Sequence, residues 1–348
     1  MLLHEPDTFS ADEDRRRKKG LIFGIAENGG FKLCFSYILD YFQYILYNKL
    51  MRKLSVAGYG FFERLGPESS LRLVKDAGFD AIDYPLYDEG KRLLFDLGGG
   101  RVSLSFAKEM RSLAEDLGIV VGQTHAPFGY REDDGSTKDQ VLDVYKRAAE
   151  ATAALGAKHM VVHPIKFENC KFDFRREECF QLNLELFSRL RPFLKEVGVT
   201  ALLENMFITE KEDGFMRLLP TIYSTGAELA RAKDALGEEF GVCLDSGHAF
   251  ITKEDIPEMV RAIGPRLLAL HLHDNTGDRD DHLPPYFGKG KLDVLLAALK
   301  ENGYQGNLNF EVRFTAVPQT ELLTAMRYVH DVGVSFRRYL DGENYEKN

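Results

Sequence analysis

The 348 residues are 44% hydrophobic and 28% charged, which suits one large barrel or two medium globular domains and excludes a disordered or fibrous chain. The formal net charge is −9, and residues 1–50 contribute none of it because seven Lys/Arg there balance seven Asp/Glu. An acid excess on the remaining chain argues against a partner made of backbone phosphates, since nucleic-acid affinity comes largely from Lys and Arg displacing counterions.

Residues 1–19 are polar and highly charged, whereas Phe31 to Leu50 is rich in Phe, Tyr, Ile and Leu. No basic cluster directly precedes an apolar core with a small-residue cleavage site, so this stretch is not read as a signal peptide. It reads as an N-terminal extension over 1–50: an appended helix, or sequence upstream of a start at Met51. No run of 18 uncharged apolar residues predicts a spanning helix. The four cysteines, Cys34, Cys170, Cys179 and Cys243, form no C-x-x-C pair and are expected to be reduced core thiols of a cytoplasmic protein.

From Met51 onward, short β-branched or apolar runs alternate with helical stretches. The runs are KLSVAGYG, DAIDYP, IVVGQTHAP, AKHMVVHP, VTALLEN, VCLDSGH, LLALHLHD and NLNFEV, eight in all. Most are preceded by a helix ending in glycine, the residue that accepts the left-handed C-cap, as at Gly78, Gly118, Gly156, Gly198, Gly241, Gly264 and Gly303. Continuously apolar strands such as Met160-Val161-Val162 fit parallel strands buried on both faces, and Asp139 to Ala154 has apolar residues at helical spacing. Eight successive βα units predict a (β/α)8 TIM barrel over 51–340, followed by a tail over 341–348.

Active sites of such barrels lie at the C-terminal strand ends. Here the third strand ends in Gln123-Thr124-His125-Ala126-Pro127 and the fourth in His163-Pro164, while the fifth ends in Glu204-Asn205. The sixth ends in Asp245-Ser246-Gly247-His248, the seventh in His271-Leu272-His273-Asp274, and the eighth in Glu311; Asp280-Asp281-His282 follows the seventh. Six of the nine histidines occupy these positions. A carboxylate at the end of an apolar strand must be paired, protonated or bound to a metal. Mixed imidazole and carboxylate donors suit Zn, Mn or Co.

These motifs resemble the xylose-isomerase-like barrel superfamily, which holds sugar isomerases and epimerases, inosose dehydratase-like enzymes and the endonuclease IV class of abasic-site nucleases. The resemblance implies at least one divalent ion, Mn2+, Zn2+, Co2+ or Mg2+, held by Glu204 in LLEN, Asp245 in CLDSGH, His271 in HLHDN and Glu311 in NFEV. It implies a sugar, sugar phosphate or polyol isomerase or epimerase that moves a proton through an enediolate, with Glu204 and Glu311 as catalytic residues. His125, His163, Asn205, His248, His273 and His282 are then expected to meet the substrate, and the first two, His248 and His282 are alternatively ligands of further zinc.

The nuclease branch holds three zinc ions with nine ligands, and the matching positions are His125, His163, Glu204, Asp245, His248, His271, Asp280, His282 and Glu311. Two features favour the sugar branch, the acidic chain and the segment PLYDEGKRLLFDLGGG where the nuclease has a basic DNA-recognition loop; the lack of Trp also removes one common group for stacking on bases, while Tyr and Phe remain. Gly288-Lys289-Gly290 is read as a tight turn and not as a phosphate site. The expected partner is a small sugar or polyol, with no nucleic acid and no membrane, and a homo-oligomer is compatible with the helical outer faces.

Overall fold

A computed structural model describes residues 51–86, 103–127, 138–166, 175–212 and 214–342. The extension over 1–50, Cys34, Cys170, most of the segment after the second strand and the end of the C-terminal tail lie outside the described residues.

The chain from Leu54 runs β1 (Leu54–Ala57), α1 (Phe62–Leu65), α2 (Pro67–Asp76), β2 (Ala81–Pro85), α3 (Leu104–Leu117), β3 (Val120–His125), α4 (Lys138–Ala154), β4 (His159–Val162), α5 (Arg176–Val197) and β5 (Thr200–Glu204). An antiparallel hairpin follows, β6 (Phe207–Glu212) and β7 (Phe215–Pro220), then α6 (Gly226–Leu236), β8 (Phe240–Asp245), α7 (Ser246–Thr252), α8 (Ile256–Ile263) and β9 (Leu267–His271). The chain finishes with α9 (Leu292–Glu301), β10 (Leu308–Phe310) and α10 (Leu322–Leu340). Every expected strand is present, so β8, β9 and β10 are the sixth, seventh and eighth of the barrel.

The strands pair in parallel in the order β10-β1-β2-β3-β4-β5-β8-β9. Closure between β9 and β10 rests on a single parallel bridge, Leu272 with Phe310, made by Leu272 N–H to the Asn309 carbonyl at 2.8 Å and Glu311 N–H to the Leu272 carbonyl at 3.0 Å. The main apolar core lies between strands and helices, and a small interior layer of Val161, Leu202, Cys243 and Ala269 fills the barrel axis. Cys179 and Cys243 are buried free thiols, and burial pushes the Cys243 thiol up to about 12, where it stays protonated and inert. No helix among the described residues is long and apolar enough to cross a membrane.

Glycines close the helices largely as the sequence implies. Gly118 (φ 70°) and Gly198 (φ 71°) take the left-handed conformation that caps α3 and α5. Gly241 is a correction: it lies inside β8, and the glycine that ends α6 is Gly237, with φ 98°. Gly241 answers a packing need, because a Cβ there would run into Leu202 and Leu268 on the flanking strands. The hairpin is the element the sequence does not announce. Its strands pair only with each other, Phe207 opposite Pro220 through Glu212 opposite Phe215, while β5 pairs directly with β8.

Candidate metal centre

Four strands deliver the expected donors to one point. Glu204 ends β5, Asp245 ends β8, His271 ends β9, and Glu311 follows β10; all four are buried. His271 Nδ1 lies 2.7 Å from Glu204 Oε1, 3.2 Å from Glu311 Oε2 and 3.9 Å from Asp245 Oδ2. One ligand atom from each of the four falls within 4.8 Å of the others. Three carboxylates in so small and dry a volume repel one another unless protons or a cation intervene. One imidazole nitrogen and three carboxylate oxygens make a donor set that fits Zn2+, Mn2+ or Co2+.

Two groups of histidines flank this point. On the β3–β4 side, His125 Nδ1 donates to the Ala126 carbonyl at 2.9 Å, which aims its Nε2 at Glu204 Oε2, 3.6 Å away. His163 Nε2 stands 2.5 Å from that same oxygen, and the two rings meet edge to face. On the opposite side, His248 Nδ1 donates to the Asn205 carbonyl at 2.7 Å and His282 Nδ1 to the Glu311 carbonyl at 2.9 Å. Both Nε2 atoms then face Asp280 Oδ2, at 3.8 Å from His248 and 2.9 Å from His282. His282 reaches inward through a left-handed backbone (φ 48°), a conformation uncommon outside glycine and frequent at functional sites.

The DSGH motif has a local logic. Asp245 is the N-cap of α7, accepting the His248 N–H on Oδ1 at 2.7 Å, so one carboxylate both starts the helix and enters the ring. His273 packs flat on His282 at 4.2 Å and points Nε2 at both Asp245 oxygens at 3.1 Å. A Cβ at Gly247 would overlap the His273 ring, which is fully buried and has no room to withdraw. Gly247→Ala is therefore expected to destabilise the fold by about 1–3 kcal/mol, read as a lower melting temperature; a variant melting with the wild type would show that His273 is free to move.

Asn205 does less at the mouth than its motif suggests. Its side-chain Nδ2 donates to the Asp245 carbonyl at 2.9 Å, and its Oδ1 accepts the Asp245 N–H at 2.7 Å. Both halves of the amide therefore clamp β5 to β8.

Charge is strongly redistributed. Burial opposes ionisation of Glu204, yet His271, His163 and His125 outweigh it and hold the carboxyl well below its usual range. Burial likewise opposes Asp245, but His248 and His273 bring it to about 2. Glu311 goes the other way, since burial raises it and His271 and His282 offset only part of that. Among the imidazoles, burial pushes His163 down to about 4. The same burial is overcome at His248, raised to about 10 by Asp245 and Asp280, and at His282, raised to about 9 by Asp280 and Glu311.

Three further residues belong to this network although the motifs do not single them out. Asp83 is the central residue of β2, in the DAIDYP run, is 2% exposed, and contacts Gln123, Asn309 and His271. A carboxylate inside an otherwise uncharged buried strand is the signal the sequence offers.

Residues 71–329 match the sequence model of a family described as "Xylose isomerase-like TIM barrel". The protein y4fM of Sinorhizobium fredii is 26% identical over 269 residues, spanning 71% of this chain and 81% of its own. Among solved structures, a D-tagatose 3-epimerase-like protein superposes with a TM-score of 0.64 at 19% identity, covering 82% of this chain and 98% of its own. The IOLI protein with a binding zinc atom superposes with a TM-score of 0.63 at 20% identity, covering 81% and 98% respectively. At these identities the two structures establish a shared barrel.

Proposed function

This chain belongs to the xylose isomerase-like TIM barrel family, and from that premise we propose that it is a divalent-metal-dependent sugar or polyol isomerase or epimerase. The observation that carries the reading is the meeting of Glu204, Asp245, His271 and Glu311 from four separate strands within 4.8 Å. The similar structures add support, as they include a D-tagatose 3-epimerase-like protein, an L-ribulose 3-epimerase and a zinc-bound IOLI protein.

A divalent ion in this ring would supply Lewis acidity toward a substrate carbonyl and its neighbouring hydroxyl. The chain does the rest. Glu204 and Glu311 reach the centre from strands well apart around the ring, so one is suited to remove the proton next to the carbonyl and the other to return it across an enediolate. Return to the same carbon from the opposite face is epimerisation, and return to the adjacent carbon is isomerisation. His125, His163, His248 and His282 line the site and are assigned to the sugar hydroxyls. Asn205 and His273, held by main-chain and Asp245 contacts, are assigned to fixing Asp245. The buried thiols of Cys179 and Cys243 suit a reducing cytoplasm.

A second reading, a multinuclear hydrolase of the abasic-site nuclease type, draws on the two flanking groups, His125 and His163 at Glu204 and His248 and His282 at Asp280. Metal analysis of the purified protein, combined with deuterium uptake from solvent into a panel of ketoses, separates the two. One ion per chain and exchange into a ketose are expected. Three ions with cleavage of an abasic duplex would replace the sugar reading, and no metal with no exchange would end both.

A further inference from the structure

A buried polar group meets the Nε2 edge of His271. Asp83 Oδ2 receives Gln123 Nε2 at 2.9 Å and Asn309 Nδ2 at 3.0 Å, and it lies 3.1 Å from His271 Nε2. The donors come from β3 and β10, and His271 comes from β9, so three strands converge on one oxygen of a fourth. Gln123 Nε2 is also 3.0 Å from His271 Nε2. An amide NH2 only donates, so of the two groups at His271 Nε2 the Asp83 carboxylate is the one able to accept a proton carried by that nitrogen. With a proton on Nε2, the neutral ring has its lone pair on Nδ1, the nitrogen that faces Glu204, Glu311 and Asp245.

We infer that Asp83 is a positioning residue for the metal centre: it selects Nδ1 of His271 as the ligand atom, fixes the ring plane and increases the basicity of that nitrogen. The inference rests on the metal-dependent reading above. Imidazole ligands that donate their second N–H to a carboxylate form a recurring arrangement, and loss of such a carboxylate typically weakens metal affinity about 10–100-fold. A carboxylate kept only for packing would be a poor choice here. A buried anion is costly to desolvate, and an amide oxygen would accept the same donors without that cost.

The test compares Asp83→Asn and Asp83→Ala with the wild type, each stripped of metal and titrated with Co2+ against a chromophoric chelator, with the visible spectrum of the Co2+ form recorded alongside. Asp83→Asn keeps the shape and an acceptor but loses the charge, so it is expected to melt near the wild type without metal, bind Co2+ about 10-fold more weakly and shift the ligand-field bands. Asp83→Ala, which leaves the His271 N–H without its acceptor, is expected to approach a 100-fold loss; should it fail to fold, Asp83→Asn alone decides. Wild-type protein that binds Co2+ while Asp83→Asn binds within about twofold and keeps the same spectrum would overturn the role of Asp83 and leave the metal reading standing. Wild-type protein that binds no Co2+ would remove both.

Discussion

Glu204→Gln and Glu311→Gln should each lower solvent-proton exchange into a ketose substrate by about 10²- to 10⁴-fold, the usual contribution of a positioned general acid or base. Glutamine keeps the length and one oxygen donor but has no basicity to take the proton. The two carboxylates have different surroundings, and the variants should differ accordingly. Glu204 lies against His271, His163 and His125, so its neutralisation leaves three imidazoles without their common anion and should also loosen the bound ion. Glu311 approaches His271 and His282 from the barrel seam, and its variant should retain more metal. Exchange rates and metal content must therefore be measured on the same preparations. Full exchange in both metal-loaded variants would take these carboxylates out of the chemistry.

Stripping the ion should have an effect of similar size through a different route. Lewis-acid stabilisation of developing charge contributes several kcal/mol, and each 1.36 kcal/mol is tenfold in rate, so chelation should cut exchange on the order of 10³-fold and restored Mn2+, Zn2+ or Co2+ should return it. Binding to the native state alone also raises stability, by about 2.7 kcal/mol when the free ion is at 100 times its dissociation constant. The melting temperature should therefore rise on reloading. Activity that survives exhaustive chelation, with no change in melting, would contradict a resident ion at His271.

The ring itself was legible before any coordinates, for a specific reason. A glutamate after ALL, an aspartate after VCL and a histidine after LLAL stand at the ends of runs with no polar residue to share their burial, and eight such runs in register allow only one place for the ends to meet. Asp83 lies inside its strand and so escapes this rule, and its importance depends on Gln123 and Asn309 arriving from other strands, which spacing along the chain does not encode. Asn205 illustrates the reverse. Its place beside Glu204 suggests contact with a substrate, whereas the pairing of β5 with β8 turns its amide into a main-chain clamp. Gly241 stands where the sequence suggests a helix terminator, because close approach by Leu202 and Leu268 is a property of the closed sheet and not of the local sequence. The hairpin was hidden by its composition, since Thr209-Glu210-Lys211 and the exposed Phe215 and Met216 give no clean one-sided pattern.

That hairpin has an evolutionary corollary. Phe207 rests edge to face on His248, and Lys166 Nζ donates to the Phe207 carbonyl at 2.9 Å, so the root of the ribbon touches the candidate site. Its strand-pairing hydrogen bonds, however, are made within the ribbon, and the hoop passes from β5 to β8 without it. Residues can be gained, lost or exchanged near Gly214 with no change to barrel register. Under the proposed function, a change of substrate would then reshape the doorway while the ring of donors behind it stays as it is.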